Sequence, residues 1–217
     1  MSKSIGLGMI DYSTALEKLK PDFAVAIADR FDVLPWVISA AMMNIPIAHT
    51  MGGERSGTID ESIRHAITKF ANIHFPANKD SAGRIEKMGE DPKTIFTVGC
   101  PRIDFILSCL KKIEKGNLIS SSQIFKLYKG VGNNFDLLKN PFLLVSFHPV
   151  TTEFGSNKKH IEEILSALND LKINTIMIWP NVDAGSDEIS KEIRKFRENN
   201  NPKWLHLFVN LPIEVYV

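Results

Sequence analysis

Between His49 and Lys69 the chain places Glu54, Asp60 and Glu61, His49 and His65, and Arg55 and Arg64 in a single short stretch. Side chains of these types exchange protons and hold anions. Gly52-Gly53 interrupts them, where the backbone can take positive φ or come close to a bound group. Ligands of open α/β sheets lie where strands end and helices begin, and this stretch has the composition of such a crevice. Asp29-Arg30, His148 and Asn181 also follow apolar runs and should sit at strand ends. Taken alone, an Asp there can equally cap a helix, and a His there can be a structural hydrogen-bond partner. Asp60 lies one turn before Arg64, the spacing of an ion pair with a dipole-favoured acid. His65 can pair with Glu61 across one turn. His49, Asp60 and His65 match no standard zinc spacing, so no metal is expected.

The elements that must carry these residues follow from periodicity. Short apolar runs at 23–28, 45–49, 73–77, 95–98, 142–147, 175–179 and 206–209 read as strands. Helical patterns lie between them, at 11–20, 31–43, 59–71, 80–89, 102–114, 158–170 and 187–199. This alternation predicts βαβ units and parallel sheets. Thr58-Ile-Asp-Glu61 has capping-box spacing, so a helix should start there with Ile59, Ile63, Ala66, Ile67 and Phe70 inward. Ser186 reads as the N-cap of the 187–199 helix, after an Asp183-Ala-Gly turn. Phe70, Phe75, Phe96, Phe105 and Trp179 read as core, and Gly6-Leu-Gly8, with no strand before it, is not a dinucleotide motif. Glycine and asparagine between 115 and 140 break the rhythm. The expected organisation is a first domain over 1–115, a linker over 116–140 and a second domain over 141–217.

The 217 residues are 44% hydrophobic and 24% charged with a net charge of +1, so electrostatics gives no case for nucleic acid or a membrane surface. The longest apolar stretch, 33–49, is broken by Pro35, Ser39, Asn44 and Pro46 and is too short and polar to span a bilayer. The opening Met-Ser-Lys-Ser-Ile-Gly lacks the apolar core of a signal peptide. Cys100 and Cys109 read as reduced, buried thiols. A cytoplasmic protein is the expectation.

Five motifs occur in order along the chain: Asp29-Arg-Phe, the 49–69 run, Val98-Gly-Cys-Pro101, His148-Pro-Val-Thr-Thr-Glu153 and Pro180-Asn-Val-Asp-Ala-Gly-Ser186. In these the chain resembles the hydrolysing UDP-N-acetylglucosamine 2-epimerases. The resemblance implies an α/β fold, a glycosyltransferase-B-like pair of Rossmann-like domains with parallel sheets. Each domain is expected to be incomplete, lacking the first strands of one and the last part of the other. It further implies release of UDP and an epimerised amino sugar from a UDP-sugar, with Asp29, Asp60 and His148 as catalytic groups. His148 would face the diphosphate, and Arg30 and Asn181 would contact the nucleotide. No cofactor is implied, and the expected partner is the UDP-sugar, with a second copy of the chain left open. Two departures stand out. Ala28 replaces a usual Gly, and Met51 replaces a Glu implicated in proton transfer, although methionine carries no proton. A non-catalytic remnant of the family, or a non-hydrolysing epimerase, are the alternative readings.

Overall fold

The computed structural model describes residues 2–27, 29–115, 120–149, 153, 155–181 and 185–216. They form two compact units, Met1–Asp104 and Phe105–Val217. Ala28, together with Val150-Thr151-Thr152 and Val182-Asp183-Ala184 of the motifs above, lies outside the described residues.

The first unit runs through α1 (Ser2–Leu19), β1 (Ala24–Ile27), α2 (Val33–Met42), β2 (Ile47–Thr50), α3 (Ile59–Phe70), β3 (Ile73–Phe75) and α4 (Lys79–Lys87), and α5 (Pro101–Glu114) follows. Lys20 and Asn44, at φ +45° and +56°, take left-handed conformations just past α1 and α2. Such a residue cannot continue the helix, and Pro21 and Pro46 follow within two residues. The helix expected at 11–20 begins much earlier, at Ser2. Within this longer helix a Cβ at Gly8 would meet Pro35 of α2 at 3.1 Å, so the glycine lets the two helices approach. Tyr12 and Trp36 then pack edge to face, 5.7 Å between centroids.

The three strands pair in parallel in the order β1-β2-β3. In their register Ile27 is opposite Thr50 and Thr50 opposite Phe75, so the three carboxyl ends lie side by side. The core is built from Leu16, Ala24, Ala26, Val37, Ala40, Ile47, Ile63 and Ile67. Ile63 and Ile67 confirm the inner face of α3, but Ile59, in its first turn, is exposed. The strand expected at 95–98 is reduced to a parallel bridge between His74 and Ile95. Phe96 N–H donates to the His74 carbonyl at 2.8 Å. One side of this segment lies at the sheet margin, and Phe96, expected in the core, is 49% exposed. Phe105 is likewise exposed.

The second unit contains α6 (Ser121–Leu127), β4 (Gly130–Gly132), β5 (Leu143–Ser146), α7 (Asn157–Leu171), β6 (Thr175–Ile178), α8 (Ser186–Asn200), β7 (Leu205–Phe208) and α9 (Ile213–Tyr216). Strands β5, β6 and β7 are parallel, and β4 pairs antiparallel with β7 in the order β4-β7-β6-β5. Ile161, Leu165, Leu168, Met177, Ile189, Ile193, Leu205 and Leu207 form its core. The interval 116–140, read as a linker, thus carries a helix and a strand. Ser120 and Gln123 form a capping box that starts α6. Gly130 and Gly132 let β4 lie tight on β7, since a Cβ at either position would collide with His206 or the Leu205 carbonyl. Phe125 of α6 stacks on Phe208 of β7 at 5.6 Å. Among the described residues no helix is long and apolar enough to cross a membrane.

Candidate active site

In the first unit the candidate residues gather at the carboxyl edge of the sheet. Asp29 stands two residues beyond β1 and Met51 one residue beyond β2, on neighbouring strands. The Asp29 carboxylate is bound by Nη2 of Arg64 on α3. Arg64 also donates from Nη1 to the Glu54 carbonyl at 2.6 Å and from Nη2 to Ser56 Oγ at 3.4 Å. This removes the helix-cap alternative for Asp29, because the N-cap position of α2 is Asp32. Arg30 is exposed, with Nε 3.3 Å from Asp32 Oδ1 and its guanidinium 5.8 Å from the centre of the Phe31 ring.

The loop between β2 and α3 is held from several sides. Met51 adopts φ +61° while its N–H donates to the Phe75 carbonyl at 3.0 Å. Gly53 has φ +77°, and its carbonyl accepts from Arg84 Nη1 at 2.8 Å. Gly52 leaves room for His49, whose Nδ1 would lie 2.9 Å from a Cβ at that position. The ring of His49 is fully buried, with Nδ1 3.2 Å from Thr68 Oγ1. Thr68 donates its own hydroxyl to the Arg64 carbonyl at 3.0 Å, so His49 Nδ1 must be the donor toward Thr68. His49 therefore braces α3 against β2.

At the start of α3, Asp60 follows the N-cap Thr58, whose hydroxyl lies 3.4 Å from Asp60 Oδ2. The expected capping box takes another form. Thr58 makes no side-chain cap hydrogen bond, and Glu61 Oε2 instead accepts from the N–H groups of Ser56 at 2.6 Å and Gly57 at 2.8 Å. The Gly57 bond, then the Ser56 bond, hold the Glu61 carboxyl below the usual carboxylate range, since both favour its charged form. Glu61 Oε1 also lies 4.0 Å from His65 Nε2, the expected one-turn pairing.

In the second unit His148 stands two residues past β5 and Asn181 three past β6. These strands are parallel neighbours with Ser146 opposite Ile178, so both residues lie at the carboxyl edge of that sheet. His148 is exposed, its Nε2 3.1 Å from Ser146 Oγ. Ser186 is the first residue of α8, not its cap: Gly185 holds the N-cap position at φ +96°, and the Ser186 hydroxyl donates to the Asn181 carbonyl. A Cβ at 185 would collide with the buried Asn157 amide, so glycine is required where Ser was expected to cap. Arg194 of α8 lies over Trp179, 5.2 Å from the ring centre.

The family model described as UDP-N-acetylglucosamine 2-epimerase matches residues 1–217. The chain belongs to this family. It is 35% identical over 196 residues to the UDP-N,N'-diacetylbacillosamine 2-epimerase (hydrolyzing) of Legionella pneumophila, a match covering 90% of this chain and 48% of that protein. It is 31% identical over 199 residues to the UDP-N-acetylglucosamine 2-epimerase of Neisseria meningitidis, covering 92% of this chain and 49% of the relative. The chain thus spans about half the length of the curated relatives it matches. The crystal structure of the Methanocaldococcus jannaschii UDP-GlcNAc 2-epimerase, in complex with UDP-GlcNAc and UDP, superposes with a TM-score of 0.74. That match has 19% identity and covers 98% of this chain and 56% of the other. The fold of this epimerase-family chain is accordingly α/β of the glycosyltransferase-B-like type, the first unit built on a parallel sheet and the second on a sheet that is parallel except for β4.

For this family member, sequence reasoning located the strand-end residues but missed the role of Arg64. Spacing suggested a surface pair with Asp60, whereas the structure buries Arg64 and joins it to Asp29, 35 positions away. Only the presence of a basic residue beside the inward-facing Ile63 and Ile67 could have signalled this.

Proposed function

We propose that the protein of this chain carries out hydrolytic 2-epimerisation of UDP-N-acetylglucosamine or a UDP-diacetamido sugar. A carboxylate takes the proton from C2 while UDP leaves C1, giving a glycal-type intermediate. Water then adds across the double bond, its hydroxyl to C1 and a proton to C2 with inverted configuration, so the products are UDP and the free 2-epimer. Two proton carriers suit this sequence, one acting as base and one as acid. Asp29 and Asp60 take these roles, and Arg30, His148 and Asn181 meet the nucleotide, with His148 at the diphosphate. The observation that supports the reading is the Asp29–Arg64 pair past the carboxyl end of β1, with Asp60 one turn before Arg64 on the same helix.

Met51 favours a second reading, a family member that binds the nucleotide without turning it over. A thioether cannot exchange a proton, and its position next to β2 brings it to the same edge as Asp29. The deciding experiment measures UDP release from each of the two UDP-sugars by the 217-residue chain, with Asp60→Asn and Asp29→Asn alongside. The expected result is release that falls by about 100-fold or more in either variant, the scale of a lost general acid or base. UDP binding without release supports the second reading, and release of an epimerised UDP-sugar in place of free UDP overturns the hydrolytic step.

A further inference from the structure

Arg64 carries an enclosed positive charge, its side chain 7% exposed. A guanidinium taken from water must be matched by acceptors, and breaking such a pair leaves an uncompensated charge. The acceptors here come from separate parts of the chain. Asp29 follows β1, Glu54 and Ser56 belong to the loop after β2, and Arg64 itself is on α3. The planar fork of an Arg side chain fixes the angle between its donors, so engaging the three groups together fixes their relative positions. Nη2 binds the Asp29 carboxylate through Oδ2.

We infer that Arg64 is a positioning residue: it holds the Asp29 carboxylate fixed relative to the 54–56 loop, in the orientation the reaction uses. This rests on the proposed epimerase reading for the role of Asp29. Arg64 is poorly placed to bind the nucleotide itself, because its side chain is buried and both terminal nitrogens are engaged within the protein, whereas Arg30 is exposed. A lysine could supply the charge to Asp29 but not the fork that also engages the loop. The orientation of Asp29 would then loosen while the ion pair survives.

A double-mutant cycle on UDP release tests the inference, using the native chain, Arg64→Met, Asp29→Asn and the double variant, with Arg64→Lys added. Misplacing a catalytic group lowers kcat by about 100-fold, so Arg64→Met should lose that much with KM nearly unchanged. Arg64→Lys should fall between, and Arg64→Met should add nothing to the loss in Asp29→Asn. Additive losses, or a rise in KM at constant kcat, overturn the inference, since Arg64 would then act on the fold or on the nucleotide. Arg64→Lys keeps the buried charge and a folded chain, and carries the cycle alone if Arg64→Met does not fold. A native chain that releases no UDP defeats the epimerase reading, and the pair is then read from thermal unfolding of the same variants. A non-additive shift in Tm upholds the clamp on Asp29; an additive one overturns it.

Discussion

At the scale of single residues, the loop that presents the site is specified by backbone conformation as much as by side chains. Gly53 combines φ +77° with a Cβ position that would collide with the Ser81 carbonyl. Both problems confront an alanine at once, so Gly53→Ala should destabilise the chain by about 2–3 kcal/mol. Thermal unfolding checks this, and a change below about 0.5 kcal/mol would mean that the loop simply moves aside. Met51, two residues before it, already occupies the left-handed region, where a non-glycine residue costs about 1–2 kcal/mol. An acid introduced at 51 would meet the same backbone cost and no new one, so Met51→Glu should fold like the native chain. The test is its Tm, expected within about 0.5 kcal/mol of native stability.

At the scale of elements, β1 is the unusual strand. Strands of parallel sheets are commonly buried on both faces. Here Ala24 and Ala26 are buried while Val25 and Ile27, pointing the other way, are 54% and 62% exposed. Helices α2 and α3 cover one face of the sheet, and Phe23 extends the exposed apolar row on the other. Ile27→Ala should therefore cost under about 0.5 kcal/mol, as surface changes do. Ile67→Ala, which empties a fully buried position on α3, should cost about 3 kcal/mol. Equal losses in denaturant unfolding would show that the outer face of β1 is covered in solution.

At the scale of the whole molecule, burial pushes the pKa of His74 in the first unit and of His206 in the second below the ordinary 6.5. His74 on β3 lies 3.3 Å from Glu90, which opposes the shift, with Lys69 adding to it. His206 on β7 places Nδ1 3.1 Å from the Asn133 carbonyl, which opposes the shift, while Arg197 adds to it. In both cases the unfolded chain binds a proton at higher pH than the folded one. Stability is therefore full above pH 6.5 and falls as the pH drops from there toward the folded-state values. Tm should decline between about pH 7 and about pH 5. His74→Asn and His206→Asn should each flatten that decline, and a slope unchanged in both variants would assign it to other groups.

Six of the seven expected strands, the seven expected helices and the strand-end placement of Asp29, His148 and Asn181 were legible in the sequence. Apolar runs of strand length alternating with amphipathic stretches leave few other ways to bury their faces. Local contacts with no strong sequence signature were not legible. Glu61 capping Ser56 and Gly57, Ser186 bound to the Asn181 carbonyl, and β4 hidden in a glycine-rich interval depend on which backbone groups come into reach. The Asp29–Arg64 pair lies furthest from the sequence. Its partners are 35 residues apart, and each has an ordinary local explanation, a helix cap for one and a one-turn ion pair for the other. Periodicity reports which face of an element is apolar, because burial repeats with the backbone. It is silent on which charged group another element brings to that face, and only the tertiary approach of α3 to the segment after β1 decided that.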